Sequence, residues 1–68
     1  MITVGDKVRL INDALDSYGN VHRPGETGTL VGHRGINQTY IISMTIGNEI
    51  VEAPVGDVVE VTRVGRNQ

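Results

Sequence analysis

The chain has 68 residues, no cysteine, 6 basic and 8 acidic side chains, and a formal net charge of −2. This length holds one domain, the missing cysteines exclude disulfides and thiolate metal sites, and no apolar run approaches the roughly 20 residues that span a bilayer. The acidic balance disfavours nucleic acid, whose binders take most of their affinity from Lys and Arg on phosphate.

Two further features of the whole chain set expectations. The absence of cysteine fits a reducing, cytoplasmic setting, and no basic segment followed by an apolar run opens the sequence as a signal peptide would. The apolar set holds 10 Val, 7 Ile and 3 Leu with no Phe or Trp, and with 6 Thr makes 23 of 68 residues β-branched. Branching at Cβ suits the pleated sheet, so an all-β fold is expected.

In chain order, the first predicted strand enters through Gly5-Asp6 and alternates from Val4 to Ile11. Val4, Val8 and Leu10 share one face and Lys7 and Arg9 the other. From Asn12 to Pro24 the alternation stops and turn formers accumulate. This reads as a loop of about twelve residues, long for an ordinary connection, in which Asp13–Tyr18 has room for one helical turn. A second strand follows over Gly25–His33. Thr27, Thr29 and Val31 point one way, and Leu30 the other, between Gly28 and Gly32. Glycines on an inner strand face mark close approach of another backbone.

Thr39–Glu52 reads as a hairpin turning at Gly47-Asn48. Pairing Ile46 with Glu49 places Met44 against Val51, Ile42 against Ala53 and Ser43 against Glu52. Tyr40, Ile42, Met44, Val51 and Ala53 then form one apolar face. Pro54 ends the strand because it has no N–H to donate. Val55-Gly56-Asp57 makes a 3₁₀ turn, and Val58–Val61 closes the sheet with Val59 and Val61 inward. A single domain is expected over 1–68, with its core at about 3–62 and a frayed tail over 63–68.

The order strand, long loop, strand, hairpin, 3₁₀ turn, strand resembles the five-stranded SH3-like barrel. Gly5-Asp6-Lys7-Val8-Arg9-Leu10 with Gly25-Glu26-Thr27-Gly28-Thr29-Leu30-Val31 is similar to the KOW motif. With Asp57-Val58-Val59-Glu60-Val61 as closing strand, the layout also resembles the SH3-like accessory proteins of photosystem I and tiny phage proteins of this fold. Those resemblances imply a closed barrel and a small accessory or modulator role. They leave function open, because this barrel hosts many unrelated activities. KOW domains usually carry more Lys and Arg. Groove-forming SH3 domains hold proline-rich ligands on aromatic side chains, whereas this chain has only Tyr18 and Tyr40. A third likeness is to the plasmid-encoded, trimethoprim-insensitive dihydrofolate reductases, tetrameric barrels around a pore. The stretch equivalent to their Val-Gln-Ile-Tyr motif is Glu49-Ile50-Val51-Glu52-Ala53-Pro54, which has no Gln and no Tyr, so their site does not transfer.

The candidate binding residues lie in two segments. Asp16, Tyr18, His22 and Arg23 fall in the long first loop, which the SH3-like resemblance makes a partner-binding element, and tyrosine is favoured at interface hot spots. Leu15 and Tyr18 equally suit a plug for one open end of the barrel. His33 and Arg34 lie in Gly32-His33-Arg34-Gly35, which is similar to the phosphate-clamping Gly-x-x-Gly loop of KH domains; His22 and Arg23 would extend the cationic patch. His22 and His33 could share one barrel end with Asp13, Asp16 or Glu26, but a metal site needs three or four convergent ligands; the simpler reading is two exposed loop-edge histidines, so no metal, cofactor or catalytic residue is expected. Ile41 and Ile50, on the face away from the core, make a candidate self-association surface.

The sequence thus predicts a non-enzymatic module that binds an unidentified protein, as a monomer or weak homo-oligomer with no membrane segment. Nucleic-acid or ribonucleoprotein binding in the KOW manner is the alternative, and a small oligomeric barrel enzyme the third reading.

Overall fold

The structure is a computed structural model and describes residues 2–61. The tail expected over 63–68 lies outside them. The elements run β1 (Lys7–Leu10), β2 (Ala14–Leu15), β3 (Val21–His22), β4 (Thr27–Arg34), β5 (Thr39–Met44), β6 (Ile50–Pro54), a 3₁₀ turn (Val55–Asp57) and β7 (Val58–Glu60). The chain is all-β. Five strands form one antiparallel sheet in the order β6-β5-β4-β1-β7, and β2 pairs with β3 as a separate two-stranded hairpin. Among the described residues no ladder joins β6 to β7, so the sheet is not hydrogen-bonded into a closed ring. No helix is long and apolar enough to cross a membrane.

The core follows from the period-two pattern of side chains along each strand. Val8, Leu10, Leu30, Ile42, Met44, Val51, Ala53 and Val58 are buried on one face, with Ile2, Ala14 and Tyr40 packed against them. Lys7 and Arg9 alternate outward as expected, but Val4 does not join the core and is 62% exposed. It sits in the turn before β1, where Asp6 N–H donates to the Thr3 carbonyl at 3.0 Å and the Asp6 carboxylate accepts from Thr3 N–H at 2.9 Å. That turn takes Val4 out of the strand.

The β5–β6 hairpin corrects the predicted register. Ile42 faces Val51, Ser43 faces Ile50 and Ile41 faces Glu52, two residues away from the pairing expected from Gly47-Asn48 alone. Met44 N–H donates to the Glu49 carbonyl at 2.8 Å, which closes a longer loop over 45–48. A shift of two preserves the side-chain period, so every apolar residue keeps its predicted face. Gly47 and Asn48 both take positive φ, +87° and +58°. Glycine does so freely and asparagine at small cost, whereas a residue without a local hydrogen-bonding group is strained there. Asn48→Ala should therefore lower the urea midpoint by an amount equivalent to about 1 kcal/mol, and Asn48→Gly should leave it nearly unchanged.

Two further details depart from simple alternation. Leu30 pairs with Ile42 and Gly32 with Ile41, so Val31 is the extra residue of a β-bulge. The bulge reverses the parity of the strand end: His33 pairs with Tyr40, and Arg34 with Thr39. At the other edge, Leu10 pairs with Val58 and Arg9 with Val59. Val58 is therefore the buried residue of β7, not Val59 as predicted, because the 3₁₀ turn delivers the strand one residue out of the expected phase. The segment predicted as one helical turn, Asp13–Tyr18, instead contains β2.

Candidate functional site

The predicted long loop is a hairpin with two dissimilar faces. Ala14 pairs with His22, and Leu15 with Val21. Ala14 and His22 turn toward the body of the protein, while Leu15 and Val21 are exposed. An isolated two-stranded ribbon is marginal in water, and this one is only two residue pairs long. It is held by a bridge between Asp16 and Val51 of β6 and by a chain of hydrogen bonds.

Asp16 is the centre of that chain. Its Oδ1 accepts from the Tyr18 amide at 2.8 Å and the Asn20 amide at 3.0 Å. Its own N–H donates to the Asn20 carbonyl at 3.0 Å, and its carbonyl accepts from Gly19 N–H at 3.0 Å. This is an aspartate satisfying the turn that follows it, a role its short side chain suits. Asp16 Oδ2 lies 3.0 Å from His22 Nε2. On the other side of the ring, His22 Nδ1 lies 2.8 Å from Glu26 Oε1. Glu26 Oε2 accepts from Arg23 N–H at 2.8 Å. Glu49 Oε1 comes within 3.9 Å of His22 Nε2.

The electrostatics agree from both ends of the pair. Burial opposes the charge on Asp16, but the hydrogen bonds from His22 and from the Asn20 and Tyr18 amides outweigh it, and the carboxyl is lowered from 3.8 to about 2. Hydrogen bonds to Asp16 first, then to Glu26, raise the His22 imidazole above its ordinary 6.5 despite its burial. The Arg23 amide and then His22 lower Glu26 below its ordinary 4.5.

The predicted site residues fall into two groups. Asp16 and His22 are joined and buried, at the wall of a cleft. His22 is therefore not the exposed loop-edge histidine expected from the sequence. Tyr18 stands on the hairpin tip at 80% exposure, and Leu15 is 59% exposed, so neither plugs the core. Arg23 is exposed nearby. His33 and Arg34 lie at the far end of β4, an eight-residue strand whose ends are roughly 20 Å apart at about 3.3 Å per residue. The single cationic patch of His22, Arg23, His33 and Arg34 is not assembled. Arg34 is instead forked onto Glu52, Nε to Oε1 at 3.1 Å and Nη2 to Oε2 at 3.2 Å. His33 Nδ1 lies 3.3 Å from the Gly35 carbonyl.

Ile41 and Ile50 both lie on the face away from the core but in different pairs, against Glu52 and Ser43. Ile50 also lines a small cleft with Leu15, Asp16, Ser17 and Glu52. Sequence reasoning does not mark Glu49 as a histidine neighbour. No local signal identifies it, since it reaches His22 only through the β5–β6 turn. The turn role of Asp16 does have a signal: a carboxylate two residues before Tyr18 and four before Asn20, with Gly19 between.

Family models, curated proteins and solved structures were all compared with this chain, and none matches.

Proposed function

We propose that this protein is a non-enzymatic binding module of the SH3-like kind that presents the β2–β3 hairpin to a protein partner. The strand order, with a hairpin between the first two strands of the main sheet and a 3₁₀ turn before the last, supports the fold part of that reading. The observation that carries the function is Tyr18: a large, amphipathic ring, 80% exposed, on a tip whose backbone is pinned by a buried aspartate. A tip already fixed in place loses little conformational freedom on binding, and tyrosine is a common anchor of interfaces. The exposed Leu15–Val21 pair extends the apolar contact beside it. An accessory protein of a larger assembly or a phage-type modulator of a host protein fits such a small surface. His33 and Arg34 lie too far away to share one small epitope with it.

Tyr18→Ala tests the reading, because the ring makes no contact on which the fold depends. Its unfolding midpoint should stay within about 0.5 kcal/mol of the wild type. Protein partners retained by the wild-type chain should be lost from Tyr18→Ala and kept by Arg34→Ala. If both variants keep every partner, the hairpin is not the interface. Retention of RNA or DNA that falls steeply between about 50 and 200 mM salt would favour the nucleic-acid alternative instead.

A further inference from the structure

We propose that Asp16, His22 and Glu49 form a site for one divalent transition-metal ion of the zinc type. The candidate ligand atoms, Asp16 Oδ2, His22 Nε2 and Glu49 Oε1, come from three places in the chain and all lie within 4.8 Å of one another. Tetrahedral zinc, with bonds of about 2.0–2.2 Å to nitrogen and oxygen, sets its ligand atoms about 3.3–3.5 Å apart. The observed separations from Nε2, 3.0 Å to Asp16 and 3.9 Å to Glu49, bracket that spacing. The third separation, Asp16 Oδ2 to Glu49 Oε1, is at most 4.8 Å, so loading draws the partly exposed Glu49 side chain inward.

Two observations distinguish this cluster from an ordinary ion pair. The first is the surplus of oxygen around one ring. Three carboxylates, Asp16, Glu26 and Glu49, surround an imidazole that carries at most one positive charge. Two of them converge on the same nitrogen, which has a single N–H to give. When His22 is neutral and donates Nδ1–H to Glu26, its Nε2 lone pair faces the Asp16 oxygen, an acceptor against an acceptor. A proton or a metal ion has to lie between them. The second is the Glu26 contact itself. A carboxylate on the far nitrogen, here at 2.8 Å, is placed to hold the Nδ1–H once Nε2 binds a metal and to strengthen Nε2 as a ligand, as in carboxylate–histidine–zinc arrangements.

A cleft of about 440 Å³ borders the cluster, walled also by Asn20, Val21, Ile46 and Gly47; Glu49 is partly exposed, and the Asp16 side chain is fully buried. The cleft leaves room for water or a group from outside at a fourth position. The mix of one imidazole and two carboxylates suits zinc and neighbouring first-row ions better than magnesium, which prefers oxygen and keeps its water. Loading releases the Nε2 proton where His22 is charged and leaves the Nδ1–H on Glu26.

The test is calorimetric titration of chelator-treated full-length protein with zinc chloride, with magnesium chloride as control, followed by ¹⁵N spectra of the two histidine rings. The expected result is one saturable zinc site, no comparable magnesium binding, and a large shift at His22 Nε2 with His33 unmoved. Glu49→Gln should weaken zinc binding at least about tenfold. Glu49 takes no part in the Asp16–His22–Glu26 hydrogen bonds, so this variant should fold. Should it not, the histidine spectra of the wild type decide. An absence of saturable binding, a zinc-induced shift at His33 alone, or a folded Glu49→Gln with unchanged affinity would each overturn the site.

Discussion

Gly28→Ala should remove about a third or more of the stability of this protein. A Cβ at position 28 would stand 2.6 Å from Ile42 Cγ2, 2.6 Å from the Ser43 carbonyl oxygen and 3.1 Å from Met44 Cα. Two of those three atoms are backbone of the adjacent strand and cannot swing aside. The pair β4–β5 would have to separate, and it lies at the middle of the sheet. Overpacking a tight core costs about 1–3 kcal/mol and sometimes more; with backbone in the way, about 3 kcal/mol is expected. At roughly 0.05–0.15 kcal/mol per residue, a chain of 68 residues has about 3–10 kcal/mol in all. Gly32→Ala on the same strand is the control. Its added methyl would meet only Ile41 Cδ1, at 3.8 Å, and the urea midpoint should move by no more than about 0.5 kcal/mol. Equal losses at the two positions would mean that strand propensity, not the close approach, makes position 28 glycine.

Asp16→Ala should be the other severe change. It removes the acceptor of two backbone amides at the partly buried base of the tip and the partner of the buried His22 Nε2 together, leaving three polar groups without their partner. A fall in melting temperature of about 10 °C or more is expected. The same network gives stability a distinctive pH profile in chelator-treated protein. His22 is raised above 6.5, so its contribution is complete below 6.5 and is lost as pH rises through the higher folded value. Asp16, lowered from 3.8 to about 2, and Glu26, lowered from 4.5, contribute above their ordinary values. Their contributions are lost as pH falls through the folded ones. The maximum should lie between about pH 4.5 and 6.5, with a decline on the alkaline side that His22→Gln removes. Thermal melts across pH 4–9 would show it. A wild-type profile flat from 6.5 upward would mean that the contacts at His22 do not favour its charged form.

Much of the sheet is legible in the sequence because burial imposes a period of two. Val8 and Leu10, Leu30, and the set Ile42, Met44, Val51 and Ala53 all fall on the core face by alternation, and each is buried. The close approach at Gly28 is legible for the same reason. Register is not. A hairpin displaced by two residues satisfies the same hydrophobic pattern, so nothing in Thr39–Glu52 distinguishes the observed pairing from its neighbour. Phase is also lost wherever an irregular element intervenes. The bulge at Val31 and the 3₁₀ turn before Val58 each shift parity without changing composition.

The candidate site is legible as residues but not as an arrangement. Asp16, Tyr18 and His22 stand out in the first loop. The alternation that would reveal β2 and β3 spans only two residues in each strand, too few to show against turn formers. That Asp16 and His22 bond each other, while Tyr18 points away, depends on the hairpin pairing Ala14 with His22. The far partner Glu49 depends on the β5–β6 turn as well. Long-range convergence of this kind leaves no mark on local sequence.

The Asp16–Val51 bridge also bears on how the protein behaves when crowded. A sheet that ends in β6 and β7 offers two rows of unpaired backbone groups, which invite other chains to add strands. β7 is only three residues long and ends in Glu60. β6 ends in Pro54, which has no N–H to offer a newcomer, and its middle is occupied by Asp16. The residue that shapes the hairpin tip therefore also blocks the longer edge. Conditions that release Asp16 uncover Val51 and its neighbours, and the protein then becomes prone to aggregate through an edge that the folded state keeps shut.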